Sequence, residues 1–321
     1  MSFTHLDSGS HHEKPPGESL VNLNEIAEIE LFILKRMKEF TVGDHASVFH
    51  GSGFNFVGTR DWQPGDRMSS VDWAQSSLTN FSPMVTRMFD QDSNATVMAV
   101  ADASLSTRCG INGVSMAAAI ARSIAAAGLS AVFFQDQFGL ITFDEAFRQI
   151  SAVRPRIGKP HVIYCLDLYQ KARASGLAPP PGDAAESDVV ATIEGHLRKT
   201  SLVPVISDFL FADAPRILNE LSLLNGMHDV FLMMVDVRFA YQLPPSSAGW
   251  IETFDVETGT TRVVSRREFA RLAARVEEWQ DQVMRMARDA DLDMVRVGLD
   301  RWEMETTLVE FVRERRLRKF S

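Results

Sequence analysis

Three short apolar runs along the chain each close on an acid: residues 96–101 before Asp102, 202–206 before Ser207 and Asp208, and 230–235 before Asp236. Continuous apolar stretches of this length are the mark of strands buried on both faces. Pro204 weakens the second run slightly, because proline cannot donate to a ladder. Helical periodicity fills the intervals, with helices predicted over about 113–127, 161–172, 187–197 and 214–224. Residues 131–134 and 140–143, separated by Asp136-Gln137-Phe138-Gly139, predict a further pair of strands joined by a short turn. Phe269, Leu272, Val276, Trp279, Val283 and Met286 lie on one face of a long helix; a strand over 294–297 and a last helix over 302–311 follow. Strands alternating with helices predict parallel βαβ units, hence an α/β fold with a mostly parallel sheet and helices on both faces.

The N-terminal third reads differently. Leu23, Ile26, Ile29, Ile33, Met37 and Phe40 recur at three and four, which predicts an amphipathic helix packed on the main domain. Residues 41–88 are irregular and rich in Gly, Ser, Asp and aromatics, with a tight turn at Pro64-Gly65-Asp66, so short strands and loops are expected. Residues 1–20 carry Gly, Ser, Pro and His and predict a disordered leader. Near the other end, segments 250–254 and 261–264 flank Glu257-Thr258-Gly259 and predict a hairpin inserted at about 241–264. The expected organisation is a leader over 1–20, a helix and irregular β segment over 21–92, and an α/β domain over 93–321.

A chain of 321 residues with 45% hydrophobic content can bury a substantial core. Its net charge of -9 disfavours a nucleic-acid partner. The one basic run, Arg313-Glu314-Arg315-Arg316-Leu317-Arg318-Lys319, reads as a solvated helix end or a docking patch. Cys109 and Cys165 lack metal-ligand spacing and read as reduced thiols. With no signal-like segment and no run of about eighteen apolar residues, the expectation is a cytoplasmic protein without a membrane span.

Ligands of open parallel sheets bind where strands end, so Asp102, Asp208 and Asp236 are expected to share one rim. Asp102, Ser104 and Ser106 alternate along one loop, so a carboxylate and two hydroxyls can turn three hard oxygens to one side. Mg²⁺ or Mn²⁺ prefers such donors. Asp208 is the distal candidate, and an acidic group of a partner would complete the shell. The spacing fits helix capping equally well.

The sequence D-x-S-x-S at the end of the first buried strand, with an Ala-rich helix after it and a later Ser-Asp, resembles the metal-ion-dependent adhesion site of von Willebrand factor A domains. Gly51-Ser52-Gly53-Phe54-Asn55-Phe56, Arg60, Pro64-Gly65-Asp66 and Asp72-Trp73 resemble the signature of the bacterial family called domain of unknown function 58, over about residues 40–315. Trp62, Arg67 and Ser69 stand where that signature has tyrosine, aspartate and arginine. The resemblance implies a von Willebrand A-like fold and an adaptor or chaperone-like role beside a MoxR-type AAA+ ATPase, with no established catalysis. It also implies a threonine in the loop that here reads Arg156-Ile157-Gly158-Lys159-Pro160-His161. Lys159 in that loop would repel a metal or bind an acidic partner.

Arg60, Asp66, Asp72 and Trp73 are candidates for a partner surface, but a buried tryptophan and a structural Arg–Asp pair are the favoured readings of Trp73 and Arg60. No G-x-S-x-G elbow or G-x-x-x-x-G-K-[ST] loop occurs, and the eight histidines are scattered, so the expectation is a binding protein rather than an enzyme. A metal-dependent hydrolase on the same rim and a metal-free scaffold are the alternatives.

Overall fold

The computed structural model describes residues 20–41, 55–63, 71–78, 80–90, 95–108, 110–111, 114–144, 146–175, 188–211, 213–237, 250–254 and 261–298. The leader, the helix over 302–311, the basic run and the tip of the 241–264 insertion lie outside them. The elements in chain order are α1 (Leu23–Thr41), β1 (Asn55–Asp61), α2 (Trp73–Leu78), β2 (Val85–Asp90), β3 (Thr96–Asp102), β4 (Gly110–Ile111), β5 (Val114–Ser115), α3 (Met116–Phe133), β6 (Gln137–Phe143) and β7 (Gln149–Arg156). Then come α4 (Lys159–Ser175), α5 (Val189–Glu194), β8 (Leu202–Ser207), α6 (Ala214–Asn225), β9 (Asp229–Val235), β10 (Trp250–Phe254), β11 (Thr261–Ser265), α7 (Arg266–Asp289) and β12 (Asp293–Val297). They group into two compact units, Lys38–Asn94 and the remainder, and the first boundary falls inside α1.

The larger unit is an α/β fold around a six-stranded sheet of order β12-β9-β8-β3-β6-β7. Five strands are parallel and β7 is antiparallel to β6. Successive strand residues point to opposite faces, and both faces are covered. Ala99 and Ala101 of β3 join the core beneath α1, α3 and α4. Met98 and Val100 join the core shared with α5, α6 and α7. The chain steps from β3 to β6 on one side, then returns to place β8 on the other, so strand order reverses between β3 and β8. Such a switch point leaves a crevice between loops that depart in opposite directions.

Helix α3 is buried over fifteen of its 18 residues, eight of them alanine, so it packs closely within the fold. Its N-terminus is capped by Ser115, whose hydroxyl accepts from the Ala118 amide at 3.2 Å. The expectation that the chain holds no apolar run of about eighteen residues is wrong here. Met116–Phe133 is 18 residues long with mean hydropathy 1.6, sufficient to cross a bilayer by length and composition, and 83% of it is buried inside the fold. Residues 131–134, expected as a strand, are the last turn of α3 and its cap. An apolar run of four cannot tell helix from strand, and the alanines before it propagate the helix. The antiparallel strand β7 was not expected, because Gln149–Arg156 has no regular alternation of apolar and polar residues and carries Pro155 at the sheet edge.

Helix α1 begins with a reciprocal cap: the Asn22 amide donates to Glu25 at 2.9 Å and the Glu25 amide to Asn22 Oδ1 at 2.8 Å. Ile26, Ile29 and Ile33 then enter the same core as α3 and α4. Arg122 of α3 reaches Glu25 at 3.2 Å, and Lys159 of α4 pairs with Glu30.

Gly139 in β6 has no room for a side chain: a Cβ there would sit 2.8 Å from the Val153 carbonyl oxygen and 3.0 Å from the Pro155 nitrogen. Backbone cannot swing away as a side chain can. Gly139→Ala is therefore expected to destabilise the fold by about 1–3 kcal/mol in urea unfolding; an unchanged midpoint would refute the close approach of β7.

In the smaller unit β1 pairs antiparallel with β2, from Asp61 opposite Val85 to Asn55 opposite Asp90. Ser76 of α2 ties that helix to β2, accepting from the Val85 amide at 2.9 Å and donating to the Val85 carbonyl at 3.3 Å.

Candidate functional site

Asp102 is the last residue of β3, and Asp208 follows the last residue of β8, so neighbouring parallel strands deliver both carboxylates to the crevice where the order reverses. After Asp102 the chain tightens into a 3-10 turn over Leu105–Arg108, pinned by Thr107, whose amide and hydroxyl both donate to the Ser104 carbonyl at 3.2 and 2.7 Å.

One string of hydrogen bonds runs across the gap. Asp102 Oδ1 accepts from the Ser104 amide at 2.8 Å, and Oδ2 accepts from the Ser207 hydroxyl at 2.6 Å. The Ser207 hydroxyl in turn accepts from the Phe209 amide at 2.9 Å. Ser104 and Ser106 hydroxyls lie 3.0 Å apart, and Ser106 donates to Asp208 Oδ2 at 2.8 Å. Asp208 Oδ1 accepts from the Leu210 amide at 2.9 Å. The serines do not cap α3, a role that falls to Ser115.

The rim is braced from both faces. Tyr169 of α4 donates to the Asp102 carbonyl at 2.9 Å. From α7, Gln280 donates to the Asp208 and Val235 carbonyls at 3.2 and 2.9 Å, and Trp279 donates to the Phe209 carbonyl at 2.8 Å.

Asp102 and Asp208 are each only 1% exposed. Burial, and then the negative charge of Asp208, push the Asp102 carboxyl up to about 7 against hydrogen bonds from Ser104 and Ser207 that favour its ionised form. Burial raises Asp208 too, opposed chiefly by the Leu210 amide. Tyr169 is held well above its ordinary value by burial and by Asp102. Among the described residues no cationic side chain pairs with either aspartate, and no three His, Cys, Asp or Glu groups converge. The donors gathered here are therefore all oxygens, two carboxylates and three hydroxyls. Such a set suits a hard divalent cation rather than zinc or copper, and a cation would relieve the repulsion between the buried charges.

The other candidates stand outside this string of hydrogen bonds, although Asp236 follows β9 on the same rim. Asp236 is buried at the end of β9, with β8 between it and β3, and its amide donates to the Val297 carbonyl at 2.8 Å. Lys159 opens α4 and pairs with Glu30. Asp72 accepts from the Ala74 and Gln75 amides, both at 3.1 Å, and so caps α2. Trp73 is 54% exposed, with its ring 6.5 Å from that of Phe81, so the buried-tryptophan alternative is corrected. Arg60 lies in β1 and its side chain, like all of Asp66, is outside the described residues. Thr107, Tyr169 and Gln280 were missed, and only the polar character of Gln280 on an otherwise apolar helix face could have flagged one of them.

A family model described as "Protein of unknown function DUF58" matches residues 58–283. Uncharacterized proteins of Mycobacterium bovis and of Mycobacterium tuberculosis are each 26% identical over 302 residues, 90% of this chain and 88% of theirs. Among solved structures, the conserved hypothetical protein BatB from Bacteroides thetaiotaomicron has a TM-score of 0.37 at 13% identity, covering 68% of this chain and 98% of that one. An aerotolerance-related membrane protein from Bacteroides fragilis has 0.35 at 13% identity, covering 68% and 100%. An uncharacterized membrane spanning protein from Vibrio fischeri scores 0.18 at 13% identity, covering 69% and 97%. The expectation of a cytoplasmic chain with no membrane span is withdrawn, since Met116–Phe133 is long and apolar enough to cross a bilayer.

Proposed function

This chain belongs to the DUF58 family of proteins of unknown function, and on that premise we propose that it is a protein-binding module whose grip is a divalent cation, Mg²⁺ or Mn²⁺, at the β3–β8 crevice. Asp102, Ser104 and Ser106 would hold the ion, and Asp208 would hold it through water. A carboxylate from the partner would complete the shell, in the manner of the adhesion site of von Willebrand factor A domains. The observation that carries this reading is the pair of fully buried aspartates joined through serine hydroxyls, with no cationic side chain paired to either among the described residues. The ion's part is to attract and orient the partner's acid. The chain's part is to keep the oxygens fixed: Thr107 sets the loop, Tyr169 and Gln280 hold the two strand ends, and burial excludes competing water.

The resemblance of the upstream motifs supports an adaptor role beside a MoxR-type AAA+ ATPase. A hydrolase on this rim would need a general base, and the groups bonded to the two aspartates are serine hydroxyls and backbone amides.

Titration calorimetry of Mg²⁺ and Mn²⁺ into the wild type and Asp102→Ala tests the proposal. Saturable heat is expected from the wild type and none from the variant, with the variant's circular dichroism unchanged. Wild-type protein that takes up neither ion would overturn the reading.

A further inference from the structure

Helix α7 is anchored by only part of its length. Its fully buried residues are Gln280, Val283 and Ala287, and no residue from Arg266 to Trp279 is buried. That first half contacts the β10–β11 hairpin; Phe269, Ala273 and Val276 are half-buried, and Val276 packs against the main core. Just past this half the helix is tied to the rim beside Asp208, where Gln280 donates to the Asp208 carbonyl and Trp279 to the Phe209 carbonyl.

Along this arm Arg267, Arg271, Arg275 and Trp279 follow one another at intervals of four. Residues so spaced stay on one side of a helix. The side in question is fixed at its lower end by Trp279, whose indole reaches the residue after Asp208. Drifting by about 40° at each step, the three arginines lie within about 80° of one another on a strip of helix that begins next to Trp279 and extends to Arg267 about 18 Å along the axis, at 1.5 Å per residue. All three are exposed, none has an ion-pair partner among the described residues, and Leu272 beside them is 37% exposed. The ten residues from Arg266 to Arg275 hold four arginines and one acid, Glu268. In a chain of net charge -9 this is a local reversal of sign.

We infer that the arm is the second half of the partner surface and that its occupant is an acidic segment of a partner protein. This rests on the partner-capture reading of the β3–β8 crevice and names the class of partner. One carboxylate of the segment enters the crevice and its neighbours lie along Arg275, Arg271 and Arg267. The row also overcomes the repulsion that an acidic partner meets from the rest of the chain and speeds its encounter.

The test uses the full chain and a fluorescein-labelled peptide of about ten glutamates, with a glutamine peptide as control, followed by fluorescence anisotropy with and without Mg²⁺. The glutamate peptide is expected to bind in a salt-sensitive way and the glutamine peptide not to bind. The triple variant Arg267→Gln, Arg271→Gln, Arg275→Gln should melt like the wild type and bind about tenfold more weakly. Asp102→Ala should lose only the part of binding that Mg²⁺ adds. Equal binding by the triple variant and the wild type overturns the inference, as does equal binding of the two peptides. Tighter, arginine-dependent binding of a short DNA duplex overturns the assignment to an acidic protein segment. If the arginines matter and Mg²⁺ does not, the arm stands and the metal reading falls; if Mg²⁺ matters and the arginines do not, the reverse holds.

Discussion

Asp102→Asn will make the metal-free chain more stable at pH 8 and will flatten the fall in stability that the wild type shows between pH 4 and pH 7. The folded chain holds the Asp102 proton up to about 7, whereas the unfolded chain releases it near the ordinary value of 3.8. Between those limits the native state binds more protons, so stability drops as pH rises. The favourable contribution is full below the lower limit and gone above the upper one. A shift from 3.8 to about 7 amounts to at most about 4 kcal/mol. Asparagine still accepts from the Ser104 amide but cannot accept from the Ser207 hydroxyl, which costs roughly 1 kcal/mol. A net gain of at most about 3 kcal/mol at pH 8 remains. Urea unfolding in a chelator at pH 5 and pH 8 measures it, and a variant no more stable than the wild type at pH 8 would show that burial and repulsion do not burden this carboxylate. Added Mg²⁺ should restore the wild type at pH 8 and leave the asparagine variant unchanged, since the variant lacks the carboxylate that would hold the ion directly.

Gln280→Met will destabilise the fold by about 2–4 kcal/mol despite matching the volume of the side chain it replaces. The Gln280 amide donates to the carbonyls of both Asp208 and Val235, and its oxygen accepts from the Val237 amide at 3.4 Å. A thioether supplies none of this, so buried backbone groups on two adjacent strand ends lose their partners at once. The same substitution should weaken Mg²⁺ binding, because Asp208 would no longer be held from behind. Chemical denaturation and calorimetry on one preparation check both effects; a variant as stable as the wild type would mean that the α7 anchor contributes little.

What the sequence revealed about this molecule follows from which forces act locally. The runs that became β3, β8 and β9 are apolar on both faces because both faces are covered, and their closing aspartates could be placed on a rim before any coordinate was known. The β10–β11 hairpin and the long α7 were equally legible from alternation and from a face repeating at three and four. The end of α3 was not, since Ala131 and Val132 suit helix and strand alike and the choice rests on where Gln135 adopts its positive φ of 59°. Strand β7 earns its place only by pairing with β6, a contact no local pattern announces. The proximity of Asp102 and Asp208 was guessed from their positions at strand ends, whereas the link through Ser207 depends on strand order, which periodicity does not specify. Lys159 looked like a charge beside the loop until α1 supplied Glu30 from far away in the sequence.

Helix α1 and strand β12 carry a practical consequence for anyone expressing pieces of this protein. The family match spans residues 58–283, yet α1 lies before it and β12 after it. A recombinant fragment trimmed to the matched span would lose the isoleucines that seal α3 and α4, together with the strand that covers the open side of β9. It would expose a greasy helix face and a row of unpaired backbone amides and carbonyls, the combination that drives inclusion bodies. The inheritable module and the autonomously folding one have different borders here, and cloning should follow the second.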